Sequence, residues 1–193
     1  KKEIVPSVSG KLYQWSDLME PVSYPVILSS TNKEVRIKQS VSTDQLGIIC
    51  LDESGMVYSG GPSTKYVGIT VPNEQSHNAR DHPIITFNLI KSLVGKKIIQ
   101  IATGYKHILL LSDLGFVFSS GDGEYGVLGH NDNHERISPR VIDALQGIRI
   151  KSVHAYGRNS MAITQQGQVY AFGQNEYHSL GINRNNPILS PEL

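Results

Sequence analysis

Four segments of the chain share one pattern anchored on a glycine: Gly10-Lys-Leu-Tyr-Gln-Trp-Ser16, Gly55-Met-Val-Tyr-Ser-Gly-Gly61, Gly115-Phe-Val-Phe-Ser-Ser-Gly121 and Gly167-Gln-Val-Tyr-Ala-Phe-Gly173. Each reads glycine, any residue, an apolar residue, an aromatic, two further residues and a small one. The leading glycines lie 45, 60 and 52 residues apart, and an irregular period near fifty points to a propeller or an array. Upstream of the glycines come short apolar runs, Ile48 to Leu51, Ile108 to Leu111 and Met161 to Ile163. They have strand length, not helix length, and the turn formers between run and glycine make each unit a hairpin. A further strand precedes the hairpin, Ile98 to Ala102 and Ile150 to His154, and a fourth extended segment, Ser138 to Ile142, carries a proline suited to a strand edge. Four short antiparallel strands per repeat make a propeller blade. The expected fold class is all-β, with Ile84 to Val94 as the one helical candidate.

The glycines have a physical role in this scheme. A positive φ at Gly115 and Gly167 would penalise any β-branched replacement. In the loop from Gly121 to His130, glycines permit close backbone approach, and the matching loop from Gly173 to Ile182 keeps its first and last glycines and puts Asn175 and His178 in the middle. Gly129 and Gly181 close the two loops. Leu128 and Leu180 fall at one equivalent position and are expected to pack beneath them.

The third repeat, from Ile98 through Gly104-Tyr-Lys-His107 and Gly121 to Leu128-Gly129-His130, resembles the regulator of chromosome condensation repeat. The resemblance rests on the combination of the Gly-x-x-His, the Gly-x-Val-aromatic hairpin and the Leu-Gly-His loop end. It is strong over residues 98–182 and weak before 62. It implies a β-propeller with four-stranded antiparallel blades, and since family propellers usually have seven blades, this chain reads as about half a ring. The expected repeats are 1–34, 35–97 with a polar insertion at 71–83, 98–147 and 148–193. Open blade edges need cover. Further blades, from this or another chain, are therefore expected against Ile4 to Tyr13 or Pro187 to Leu193, the alternative being that the two ends meet in one composite sheet.

Several function classes find no support. Formal net charge is +1, from 18 Lys and Arg against 17 Asp and Glu, so no global field draws in nucleic acid. No apolar run approaches the length needed to span a bilayer, and the one cysteine, Cys50, sits in an apolar run where it reads as a buried thiol, compatible with a reducing compartment and equally with a secreted protein that carries no disulfide; the expected location is cytoplasm or nucleus. His77 with His82, and His130 with His134, lie in turn-rich stretches where the spacing does not align metal ligands. No nucleophile elbow, phosphate loop or dinucleotide fingerprint occurs. Neither catalytic residues nor a cofactor is expected.

The leading functional reading is a non-catalytic scaffold presenting loops to a protein partner. Tyr125 and Tyr177 occupy equivalent loop positions beside Glu124 and Glu176, with Asp122 nearby, and a tyrosine at a loop tip makes a good interface anchor. The opposing reading is that both tyrosines pack between blades. The resemblance also implies guanine nucleotide exchange on a Ran-like small GTPase, the activity of the founding family member. His107 is the position that carries over, read as either a partner contact or a structural histidine bonded to a neighbouring strand. Asn159 and Gly47 replace it in the adjacent repeats. A third reading is a propeller that plugs an enzyme.

Overall fold

The computed structural model describes residues 3–6, 12–15, 22–24, 27–28, 35–43, 47–60 and 86–193. Gly10, Gly61 and the insertion at 71–83 lie outside the described residues. The strands are β1 (Glu3–Pro6), β2 (Leu12–Trp15), β3 (Val22–Tyr24), β4 (Ile27–Leu28), β5 (Ile37–Thr43), β6 (Gly47–Asp52), β7 (Val57–Gly60) and β8 (Thr86–Leu89). They continue with β9 (Ile98–Thr103), β10 (His107–Ser112), β11 (Val117–Gly121), β12 (Arg136–Val141), β13 (Ile150–Tyr156), β14 (Asn159–Thr164), β15 (Val169–Gly173) and β16 (Ile188–Glu192).

They assemble into four sheets. β1–β3 form the first, β5 to β8 the second, β9 to β12 the third and β13 to β16 the fourth, each running in sequence order with antiparallel neighbours. The second blade departs from the four-stranded plan: β4 adds to its outer edge, parallel to β8. The first and last strands belong to different sheets, so they do not build a composite blade. The helical candidate is resolved differently, as strand β8 followed by a single 3-10 turn, Lys91–Leu93. Ile90 and Leu93 bury in the core beside that turn, which explains a helix-like spacing without a helix.

The unbroken apolar run in β10 has a simple cause. Ile108 and Leu110 pack with Ile101 of their own blade into a core shared with the second blade through Ile49, Leu51 and Val57. Leu109 and Leu111 point the other way, into a core shared with the fourth blade through Ile150, Val153 and Phe172. All four are essentially inaccessible, each contributing about 1.5–3 kcal/mol of burial. β6 repeats the arrangement, with Ile49 and Leu51 on one side and Ile48 and Cys50 in a separate cluster on the other. Burial pushes the Cys50 thiol up to about 12.

Each of the three described Gly-x-Val hairpin turns is closed by a buried polar residue three positions before the glycine. The Ser112 hydroxyl accepts from the Phe116 amide at 3.0 Å, and Thr164 Oγ1 from the Gln168 amide at 3.1 Å. The Asp52 carboxylate does more, accepting from the Ser54 and Met56 amides and the Ser54 hydroxyl. The glycines themselves have φ of 92° at Gly55, 86° at Gly115 and 82° at Gly167, the left-handed region that disfavours a side chain.

Neighbouring blades are joined at the inner strand by a glutamine. The Gln39 side chain of β5 donates to the Ile101 carbonyl at 2.7 Å and accepts from the Ile101 amide at 3.0 Å. One blade on, Gln100 of β9 does the same to Val153, at 2.9 and 3.0 Å. Both amides bridge to backbone groups that the within-sheet ladder leaves open on an edge strand. By pairing register the next equivalent is Ser152, since Gln39, Gln100 and Ser152 stand opposite Leu51, Leu111 and Ile163.

Two stability outcomes are expected. Gln100→Ala leaves the Val153 amide and carbonyl unpaired in a part-buried site and lowers unfolding free energy by about 1–3 kcal/mol. Gly115→Val forces a β-branched residue into a left-handed conformation, at a cost of about 1–2 kcal/mol. Urea unfolding with unchanged m-values measures both, with exposed Leu114→Ala as the neutral reference.

Candidate functional site: the loop face between neighbouring blades

The third and fourth blades each send a β-bulged inner strand and a third strand toward one end, so the loops 104–106, 122–135, 156–158 and 174–187 emerge together. The charged side chains there come in opposite pairs, one within the third blade and one across its junction with the fourth. Lys106 Nζ lies 3.4 Å from Asp122, and Arg158 of the fourth blade lies 3.9 Å from Glu124 of the third. The Arg158 guanidinium also sits over the Tyr125 ring at 4.7 Å, a cation–π contact. Exposed pairs of this kind contribute about 0–1 kcal/mol; their effect is to hold the loops in register.

Tyr125 and Tyr177 both occupy the left-handed region, with φ of 62° and 56°, which is uncommon for a bulky residue and costs backbone strain. The two part company in packing. Tyr125 is half-buried under Arg158, whereas Tyr177 is 92% exposed, beside an exposed Glu176. Tyr156 is 88% and Tyr105 54% exposed on the same end, residues that the sequence pattern did not single out. Gly126 shows why the two loops differ. A Cβ there would lie 2.6 Å from Leu189 Cα of the next blade, while the glycine that closes the fourth blade's loop, Gly181, has nothing within 4 Å. His178 stands where Gly126 would, and adopts φ of 56°. Leu128 is buried and Leu180 partly buried, each in its blade. Gly121 and Gly173 each press against the preceding loop backbone, at Lys106 and Arg158.

Beneath the loops lies His107, 1% exposed. Its Nε2 is 2.8 Å from Ser160 Oγ of the fourth blade, and that hydroxyl donates to the Val127 carbonyl at 2.7 Å. With its single proton committed to Val127, Ser160 accepts from His107, so His107 carries its hydrogen on Nε2. A serine beside a histidine suggests a nucleophile and its base, but here the serine proton points away from the imidazole and both groups are buried. The dimple above them, lined by Tyr105, Asp122, Glu124 and Arg158, holds about 20 Å³, room for about one water. Asn159, at the position of His107 in the fourth repeat, donates its amide to the carbonyls of Gln174 and Arg158 in the orientation that satisfies its polar atoms.

A second histidine follows the same logic. His130 Nε2 is 3.0 Å from Ser119 Oγ, which donates to the Leu128 carbonyl. His134, four residues on, lies 3.5 Å from Asp132, and among the described residues no three candidate ligands converge. Burial lowers both His107 and His130 to about 4, with Arg136 and Arg140 adding to the effect at His130.

The regulator of chromosome condensation (RCC1) repeat matches residues 115–163. The chain is an RCC1-repeat protein with a β-propeller fold. The probable E3 ubiquitin-protein ligase HERC4 of Mus musculus is 39% identical over 105 residues, 54% of this chain and 10% of that protein. The crystal structure of human WBSCR16 superposes with a TM-score of 0.72 at 18% identity, covering 98% of this chain and 49% of that one. Prp20p from Saccharomyces cerevisiae, in a structure described with its binding properties to Gsp1p and histones, gives 0.67 at 17% identity, covering 94% and 45%. The chain thus spans about half the length of these structures and a tenth of that ligase.

Because the folded values of His107 and His130 lie below the ordinary 6.5, the unfolded chain binds more protons across that interval. Stability is complete above about pH 6.5 and declines as pH falls toward 4. Ser160→Ala removes the acceptor for His107 and costs about 1–3 kcal/mol at neutral pH. Thermal melts across this pH range check both.

Proposed function

We propose that the chain is a non-catalytic binding module whose loop face docks a protein partner, in the cytoplasm or nucleus. The observation that carries this reading is the set of exposed tyrosines, Tyr105, Tyr156 and Tyr177, on the loops at one end, where Arg158 also stacks on Tyr125. Tyrosine and arginine, with tryptophan, are the residues enriched at binding hot spots, and aromatic residues are enriched at interfaces over the rest of a protein surface. Asp122, Glu124, Tyr125 and Glu176 frame the same surface. Further blades, from this chain or another, are proposed to cover the outer flank of the fourth blade, where Val169 is 43% exposed.

Exchange on a small GTPase is the second reading, favoured by the likeness to Prp20p. It draws no help from His107, whose burial keeps it from any partner.

Purified protein offered to a panel of small GTPases and to candidate protein partners separates the readings. Tyr156→Ala with Tyr177→Ala is expected to weaken partner capture by about tenfold or more with an unchanged melting temperature. Accelerated nucleotide release from one GTPase would establish exchange instead, and retention of full binding by the double variant would remove the loop face from the reading.

A further inference from the structure

The two ends of the propeller differ in charge in a way that the net value of +1 conceals. On the loop face, Lys106, Arg136, Arg158 and Arg184 are each matched with a carboxylate. The opposite end carries the hairpin turns and the starts of the inner strands. There a basic residue stands directly before the inner strand in three successive blades: Arg36 before β5, Lys97 before β9 and Arg149 before β13. Their positions are set by the fold, because each carbonyl accepts from a turn amide of its own blade, Glu53, Asp113 and Gln165, at 2.9–3.0 Å. All three side chains are exposed, and Lys91 and Lys96 join them from the turn between β8 and β9. Among the described residues none of these five cations has a carboxylate within ion-pair distance. Glu53 and Asp113 are the acids set among them, while Asp143 is 3.9 Å from Arg140. Among the described residues, five cations thus stand beside two acids that have no basic partner.

An apolar groove opens on this same end, at the junction of the second and third blades. Leu114, Phe116, Phe118 and Val141 wall it, Lys96, Lys97 and Asp113 lie on its rim, and it encloses about 500 Å³, the size of a small-ligand or side-chain pocket. Leu114 is 79% and Phe116 40% exposed at its mouth, while Lys96 Nζ lies 5.8 Å from the Phe118 ring. Large apolar side chains held open to water beside two lysines that lack a carboxylate partner, Lys96 donating to the Ser92 carbonyl at 2.8 Å, call for an occupant that is apolar at its centre and acidic on the side that meets the lysines. A nucleic-acid backbone meets the charge but leaves the groove unfilled.

We propose that this turn face is a second docking surface, taking an acidic linear segment of a protein partner whose apolar side chain seats between the second and third blades. The arc of Arg36, Lys97 and Arg149 gives the segment its path, steering it by charge, and the groove fixes its register.

The test is fluorescence anisotropy on the full chain with a labelled peptide in which Leu-Phe is flanked on each side by Glu-Asp-Glu. Saturable binding is expected, weakened about tenfold by Lys96→Glu with Lys97→Glu and by added salt. Leu114→Asp is expected to abolish it, and Tyr156→Ala with Tyr177→Ala, on the other end, to leave it unchanged. A peptide with every acid replaced by its amide is a control that no folding defect can mimic, and it is expected to bind at least about tenfold more weakly. No saturable binding to the parent chain, equal affinity for the amide peptide, or tighter binding to a single-stranded oligonucleotide or to phosphatidylserine vesicles through the same lysines would overturn the proposal.

Discussion

Burial of each blade on both faces is the constraint from which the rest of the structure follows. Successive residues of β10 enter two different cores, one shared with the blade before and one with the blade after. No sheet of this kind can hide its apolar surface alone, because half of the covering atoms belong to its neighbours. The strands are therefore held to strict lengths and patterns while the loops are free to differ. That division accounts for repeat spacings of 45, 60 and 52 residues around hairpins of one geometry.

Packing between blades is non-directional, and polar links supply the alignment it lacks. The glutamine bridges tie inner strands, the His107–Ser160–Val127 chain ties the third blade's loop to the fourth blade's second strand, and the Asn131 amide reaches Leu189 of the outermost strand. They lie at increasing distance from the inner strands, so a twist of one blade against the next disturbs all of them together. The histidine link rests on the hydrogen at Nε2, and burial keeps the imidazole that carries it neutral.

The hairpins, the strand order and the all-β class were legible because they depend on local pattern: glycine where φ must be positive, apolar runs of strand length, aromatic residues beside valine. Features that depend on two repeats meeting were not. Gln39 and Gln100 lie 61 residues apart although their hairpin glycines lie 60 apart, because loop lengths differ between blades, and alignment on glycine places them out of step. The Ser160 partner of His107 is hidden for the same reason, since its equivalent in the third blade is Ile108. Asp52, Ser112 and Thr164, by contrast, sit at one offset from their glycines and carry a signal that the sequence does contain. Of the paired loop tyrosines, Tyr125 is held by Arg158 while Tyr177 stands free, a difference set by the neighbouring blade and invisible in either loop alone.

The glutamine bridge has a further consequence for how such chains diversify. One side of it is a side chain, but the other is main chain, which every amino acid supplies. A blade bearing glutamine at that place can make this one link to any successor, so the link survives duplication, deletion or shuffling of units whose shared cores still fit. A serine at the third position, Ser152, lacks the reach and the paired donor and acceptor, and marks a joint of another kind. The grammar of assembly is thus carried by one residue per unit, which leaves the exposed loops at liberty to acquire new partners.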